Sequence, residues 1–266
     1  MTDQGIRYYD AHNHLHDARL AGSLGDVVET AEQAGIARMV VNGTHPGDWP
    51  EVLSLAERYP RLVQPSLGLH PWFAPAAPPD WRKELARLSQ ASGVAVGECG
   101  LDRWKPDLPY EGQEQAFVTQ MRLAAELDRP LSIHCLRAWG RMLELLEKGP
   151  RPARGFLLHS YGGSAEMVDR FAALGAYFSF PGAFAREKKH RQRAAFERVP
   201  ADRLLIETDA PDQMPPRSLI ASPLADANHP ANLAGIYGYV ADILGWSLEK
   251  CAKQVEENFF TFFGAP

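Results

Sequence analysis

LSIHCLRAWGRMLELLEKGPRPARGFLLHS, residues 131–160, holds the unit that decides the fold. A short apolar run, Leu131–His134, leads into an amphipathic stretch, Trp139–Lys148, and then into a second apolar run, Phe156–His159. Apolar residues at three- and four-residue spacing mark Trp139–Lys148 as a helix with one buried face. Apolar runs this short, bounded by polar or glycine-bearing turns, read as strands buried on both sides. Each of the two ends on a histidine.

The same alternation extends in both directions. Eight runs read as strands: Arg7–Asp10, Met39–Asn42, Val63–Leu69, Val94–Gly97, Leu131–His134, Phe156–His159, Ala176–Phe180 and Leu204–Glu207. Helical spacing recurs between them in Leu24–Ala34, Pro50–Tyr59, Trp81–Ala91, Gln113–Leu127, Ala165–Leu174 and His190–Val199, and Leu233–Leu244 and Leu248–Phe262 close the chain. The proline-rich pieces Pro75–Pro79 and Pro211–Pro216 read as loops within the repeat. Eight strand–helix alternations predict an α/β fold, a (β/α)₈ TIM barrel, formed as one domain over residues 1–266. A doubly wound open sheet is the rival. It is disfavoured because no Gly-x-Gly-x-x-Gly turn follows the first strand.

Bulk properties fit that architecture. The 266 residues suffice for one large core, and 45% hydrophobic and 23% charged residues are ordinary globular values. A net charge of −5 carries no global nucleic-acid signature, although it leaves room for a site that grips a few phosphates. Cys99, Cys135 and Cys251 are odd in number and form no Cys-x-x-Cys pair, which favours a reducing compartment. The polar Met1–Tyr9 segment reads as no signal peptide, and no apolar run approaches membrane-span length. The expected location is cytoplasmic, with no membrane partner, and the expected state is a monomer or weak oligomer.

Barrel active sites form at the C-terminal ends of the strands. Six of the eight strand ends here supply His, Glu or Asp: Asp10-Ala-His12-Asn-His14, Gly68-Leu-His70-Pro71, Gly97-Glu98-Cys-Gly100-Leu-Asp102, Ile133-His134, Leu158-His159 and Glu207-Thr-Asp209-Ala-Pro211. His12 and His14, two apart on extended chain, point the same way and can share a cation. Their bland alternative is a hydrogen-bonded pair at the barrel mouth. Glu98 ends an apolar run, so its carboxylate needs a partner, either two cations or an arginine such as Arg103. Asp209 at the rim can bind a metal and accept a proton from water, or else cap a following helix. Mixed imidazole and carboxylate donors suit Zn, Mn, Fe, Ni or Mg without choosing among them.

These motifs, in this order and spacing, resemble the TatD-like metal-dependent hydrolases over essentially the whole chain. His159-Ser-Tyr-Gly-Gly163-Ser and Asn228-His-Pro230-Ala-Asn232 belong to the same pattern. The resemblance implies two divalent metal ions (Mg, Mn or Zn). His12, His14, Glu98 and Asp209 would hold one, and Glu98, His134 and His159 the other. Asp209 would activate the attacking water, with His70 near the substrate, so that Asp209, Glu98 and His70 form the catalytic set. It also implies a deoxyribonuclease acting on single-stranded DNA or 3′ ends. In related amidohydrolases a modified lysine bridges the metals from strand four, and Glu98 occupies that place here. The chain departs from the pattern at Leu136, where arginine is common, at His229, where glutamate is common, and over Ser160-Tyr161-Gly162.

Weaker signals concern the surroundings. Trp72, Trp104 and Trp139 each follow a strand end and could stack on bases, a contact worth about 1–3 kcal/mol, or simply pack loops. Cys99 and Cys135 flank the presumed ligands but alternate to the opposite face, as inert thiols. Phe259, Phe260, Phe262 and Phe263 read as a helix docking on the barrel. The basic run Arg186–Arg193 could grip phosphates or be a solvated helix face. Rival functions are a hydrolase of a small ester, lactone or cyclic amide at the same site, and a metal-binding scaffold without turnover.

Overall fold

A computed structural model describes residues 5–105 and 108–264, so the first four residues of the polar N-terminus lie outside it. The elements run β1 (Tyr8–Asn13), α1 (Ala18–Ala21), α2 (Leu24–Gln33), β2 (Ile36–Asn42), α3 (Trp49–Arg58), β3 (Val63–Leu67), α4 (Trp81–Leu88), β4 (Ala95–Asp102), α5 (Tyr110–Leu127), β5 (Leu131–Leu136), α6 (Trp139–Lys148), β6 (Phe156–Leu158), α7 (Ala165–Ala173), β7 (Ala176–Pro181), α8 (His190–Phe196), β8 (Leu204–Glu207), α9 (Leu233–Leu244) and α10 (Leu248–Phe263). The strands form one parallel sheet in sequence order, a (β/α)₈ barrel rather than an open doubly wound sheet. No helix among the described residues is long and apolar enough to cross a membrane.

All eight expected strands are present, but their ends differ where polar residues interrupt the apolar runs. β4 continues from Ala95 to Asp102, so Glu98 lies inside the strand rather than just past it. Gly100 makes that continuation possible. It pairs with His134 at a φ of +149°, and a Cβ there would sit 1.9 Å from the His134 carbonyl oxygen. β1 likewise runs on to Asn13. β8 instead stops at Glu207, and Asp209 follows with a φ of +52°, a left-handed conformation that aspartate tolerates.

The β1–β8 seam is closed largely by side chains. Asp10 accepts hydrogen bonds from Thr208 N (2.9 Å) and Thr208 Oγ1 (2.5 Å). Beyond the strand end, Asp209 N donates to His12 O and His14 N to Ala210 O. Two C-terminal helices complete the closure. The Tyr237 hydroxyl of α9 accepts from Tyr9 N and donates to Tyr9 O. Asn258 of α10 donates to Leu204 O at 2.7 Å. Phe259, Phe262 and Phe263 are buried against the barrel, as expected of a docking helix. Leaving both buried Tyr9 backbone groups unpaired should cost about 1–3 kcal/mol. Tyr237→Phe is therefore expected to lower Tm by about 2–4 °C for each of those kcal/mol, measured by calorimetry. An unchanged Tm would show that the seam does not depend on this hydroxyl.

Candidate metal centre

Strand geometry orients each histidine ring, helped by polar groups behind it. His14 Nδ1 donates to the Asn42 carbonyl at 2.8 Å, which turns Nε2 inward. His12 Nδ1 lies 3.2 Å from Ser132 Oγ, again leaving Nε2 inward. His134 is reversed: Nε2 meets Asp102 Oδ2 at 3.0 Å and Nδ1 faces the centre. His159 presents Nε2 to the centre, with Nδ1 3.7 Å from Glu207 Oε1. Histidines held from behind by carbonyls, hydroxyls and carboxylates are oriented to ligate.

Glu98 sits between two donor sets. Its Oε2 is 3.3 Å from His12 Nε2 and 3.4 Å from His14 Nε2. Its Oε1 is 2.9 Å from His134 Nδ1 and 2.8 Å from His159 Nε2. Asp209 Oδ1 completes the first set, 3.6 and 3.4 Å from His12 and His14 Nε2. Three overlapping groups of donors, each within 4.8 Å of one another, emerge: His12/His14/Asp209, His12/Glu98/His159 and His70/Glu98/His134. His12 Nε2 and Asp209 Oδ1 are buried without a hydrogen-bond partner. Orphaned donors around a buried carboxylate are what cations would satisfy, and the donor set fits two divalent ions of undetermined identity.

The electrostatics agree. Burial opposes ionisation of Glu98, but His159, His70 and His12 outweigh it and hold the carboxyl well below its usual value. Asp209 is brought down to about 2, burial being overcome by the close approach of His14 and by the neighbouring imidazoles. Conversely, burial would lower His14, yet the adjacent Asp209 and Glu98 carboxylates push it up to about 9. His159 rises well above its usual value for a similar reason, with Glu98 and Glu207 outweighing burial. Protons on these rings occupy the positive role that metal ions would take.

Comparison with known proteins places the chain. The sequence model of the TatD related DNase family matches residues 9–264. The chain belongs to the TatD family. It is 34% identical over 260 residues to the 3′-5′ ssDNA/RNA exonuclease TatD of Escherichia coli K12, covering 96% of this chain and 98% of that protein. A protein of the same name from Pantoea vagans is 33% identical over 261 residues, covering 96% of this chain and 98% of the relative. Among solved structures, YJJV, a TatD homolog from Escherichia coli K12, superposes with a TM-score of 0.90 at 26% identity, covering 98% of this chain and 99% of that one.

Within this TatD-family barrel, His70 differs from the other rings. Its Nδ1 accepts from Trp72 N at 3.1 Å, so in the neutral ring the proton resides on Nε2, 3.5 Å from Glu98 Oε1. Burial, reinforced by His134, His14 and His159, keeps it well below the usual histidine value. It is set to donate a hydrogen bond. No arginine pairs with Glu98 among the described residues, and Arg103 instead lies 4.0 Å over the Tyr110 ring. Asp209 caps no helix and faces His14.

Sequence reasoning gave no role to several residues that hold the centre. Asp102, which also accepts from Trp72 Nε1 at 2.7 Å, steers His134. Its alternation with Glu98 and Gly100 along β4 is the signal that could have revealed it. Glu207 takes Ser160 N at 2.7 Å and Ser160 Oγ at 2.5 Å, and also Ser179 Oγ. Trp139 is half-buried and packs on Tyr161 and Phe171. Trp104 is 52% exposed; with Phe73 and Leu136, each 37% exposed, it follows or ends a strand at the mouth. His229 is buried and accepts from Ala231 N, capping a short helical turn. Cys99 and Cys135 are buried, and burial raises both thiols. In the basic run, Arg193 donates to the carbonyls of Phe184, Arg186 and Glu187. Arg193 thus braces the turns that precede α8.

With His14 pushed up to about 9 and His159 shifted in the same direction, cation binding is expected to displace protons from the centre. Divalent-metal affinity should therefore rise with pH through neutrality, and the His14 contribution should flatten above about pH 9. Calorimetry at pH 7 in buffers of differing ionisation heat is expected to report proton release. Binding heats independent of buffer would contradict this protonation scheme.

Proposed function

We propose that the chain is a divalent-metal-dependent phosphodiesterase that trims single-stranded nucleic acid from its 3′ end. The observation carrying this reading is the division of Glu98, one oxygen towards His12 and His14 and the other towards His134 and His159. A carboxylate used this way joins two cation sites in one centre. His12, His14, Asp209 and Glu98 would hold one ion, and Glu98, His134 and His159 the second. Bound there, two cations supply Lewis-acid polarisation of a phosphoryl oxygen and make an attacking water more acidic.

The chain's own groups do the rest. Asp209 is ionised across the neutral range and borders the His12/His14 set, so its carboxylate is placed to accept the water proton. His70 donates from Nε2 to the phosphoryl group, fixed in that tautomer by Trp72 N. Exposed Trp104, whose N donates to Asp102, and Phe73, its ring 6.4 Å from that of His70, offer flat apolar faces, which suit an unpaired nucleobase better than a small ester or lactone. The related proteins named as 3′-5′ ssDNA/RNA exonucleases support the same substrate class. The free cysteines fit a cytoplasmic location within this reading.

A screen of purified protein with Mg²⁺, Mn²⁺ or Zn²⁺ against single-stranded DNA, RNA, duplex DNA, a generic phosphodiester and a lactone panel tests it. Shortening of single strands from the 3′ end is expected, and turnover confined to lactones or esters would overturn the reading. Asp209→Asn should lower kcat by at least about 100-fold, roughly 2.7 kcal/mol in barrier, with oligonucleotide binding largely kept. Trp104→Ala should raise KM for an oligonucleotide and leave the generic phosphodiester nearly unaffected.

A further inference from the structure

Outside the presumed ligands, one polar side chain reaches into the centre from the loop after β8. Gln213 Nε2 donates to Asp209 Oδ2 at 3.0 Å and also to Ser160 Oγ. An amide nitrogen carries two hydrogens, so these contacts use both. The directions of the bonds are forced. Ser160 Oγ gives its own hydrogen to Glu207 Oε1 at 2.5 Å, so towards Gln213 it can only accept. The ionised Asp209 can only accept as well. The amide must therefore present nitrogen, not oxygen, to both neighbours.

Three non-glycine residues with left-handed backbone bring this network together: Ser160 at φ +46°, Asp209 at +52° and Gln213 at +48°. The loop is clamped on each side of Gln213. Arg19 forks onto Asp212 with bonds of 2.8 and 2.9 Å. Arg186, from the basic run, donates to Met214 O at 3.1 and 2.9 Å. Paired contacts of this kind fix orientation even where each contributes little energy.

The consequence falls on Asp209. A carboxylate at a loop position can rotate and offer either oxygen. Here Oδ2 is held by Gln213, while Oδ1 has no hydrogen-bond partner and faces His12 and His14. We propose that Gln213, steadied by Ser160 and Glu207, is a positioning residue that fixes which Asp209 oxygen is offered to the cation at His12 and His14. This inference rests on the two-metal reading of the site. Because the donor is neutral, it orients the carboxylate without cancelling its charge, as a lysine or arginine there would.

Gln213→Met keeps the length and removes the amide. Titration of the apoprotein with Mn²⁺ is expected to show one of two binding events weakened by about 10–100-fold, the range typical of lost outer-sphere partners. The other event should stay near the wild-type value. With the generic phosphodiester, kcat should fall by about tenfold or more while KM stays within about twofold. Ser160→Ala, which frees one side of the amide, should give a smaller loss of the same kind. The double variant should be no worse than Gln213→Met alone, because both act through one contact. Calorimetric melting of each variant guards against misfolding, and Ser160→Ala carries the test if Gln213→Met does not fold. Wild-type Mn²⁺ isotherms in both variants would overturn the proposal whatever the turnover. A wild-type protein inert towards every phosphodiester would overturn the functional reading, while the Mn²⁺ comparison would still decide the role of Gln213.

Discussion

A buried carboxylate surrounded by imidazoles is the constraint on which the rest depends. Glu98 lies within 3.5 Å of ring nitrogens from His12, His14, His70, His134 and His159. Removing such a charge from water costs several kcal/mol unless opposite charge is returned to it. Imidazoles can return it only by holding protons or by sharing metal ions. The protein builds the second option into its geometry: four of the five rings are turned with a basic nitrogen inward, each with Ser132, Asn42, Asp102 or Glu207 behind it. The fifth, His70, is turned the other way and carries a donor.

The barrel makes this crowding attainable. Parallel strands deliver all their C-terminal ends to one rim, so residues far apart in sequence meet within a few ångströms. Glycine at position 100 lets β4 run on against β5 past Glu98, far enough to bring Asp102 behind His134. The β1–β8 seam contributes equally, since it joins His12 and His14 to Asp209. There the backbone bond from Asp209 N to His12 O and the Asp10–Thr208 contacts fix two segments that carry candidate donors to each other. Tyr237 and Asn258 seal the same seam lower down, so the last two helices brace the strands that lead into the site.

Much of this was legible in the sequence because it depends on periodicity. The strand runs, their order and the chemical residues at their ends survive as one-dimensional patterns. The six expected metal-site residues come together in one cluster with His70 beside them. Strand ends were less legible. The runs Arg7–Asp10 and Val94–Gly97 stop where apolar residues stop, whereas β1 and β4 continue through polar residues that the ladder and the centre satisfy. Hidden altogether were contacts that depend on distant partners: Ser132 behind His12, Asp102 behind His134, and Gln213 against Asp209. Nothing near Gln213 in the chain announces a left-handed turn that aims its amide inward. The basic run, which composition leaves open between a phosphate grip and a solvated helix face, carries contacts that composition does not show: Arg186 and Arg193 hold backbone carbonyls.

The account therefore stands or falls on two cations joined through Glu98. Electron paramagnetic resonance of the protein loaded with two equivalents of Mn²⁺ tests that claim most directly. Ions about 3.5–4 Å apart and sharing a carboxylate are magnetically coupled. The account predicts an exchange-coupled spectrum at full loading that collapses to isolated-ion signals in Glu98→Ala. A wild-type spectrum showing only the hyperfine pattern of isolated Mn²⁺ at full occupancy would contradict it.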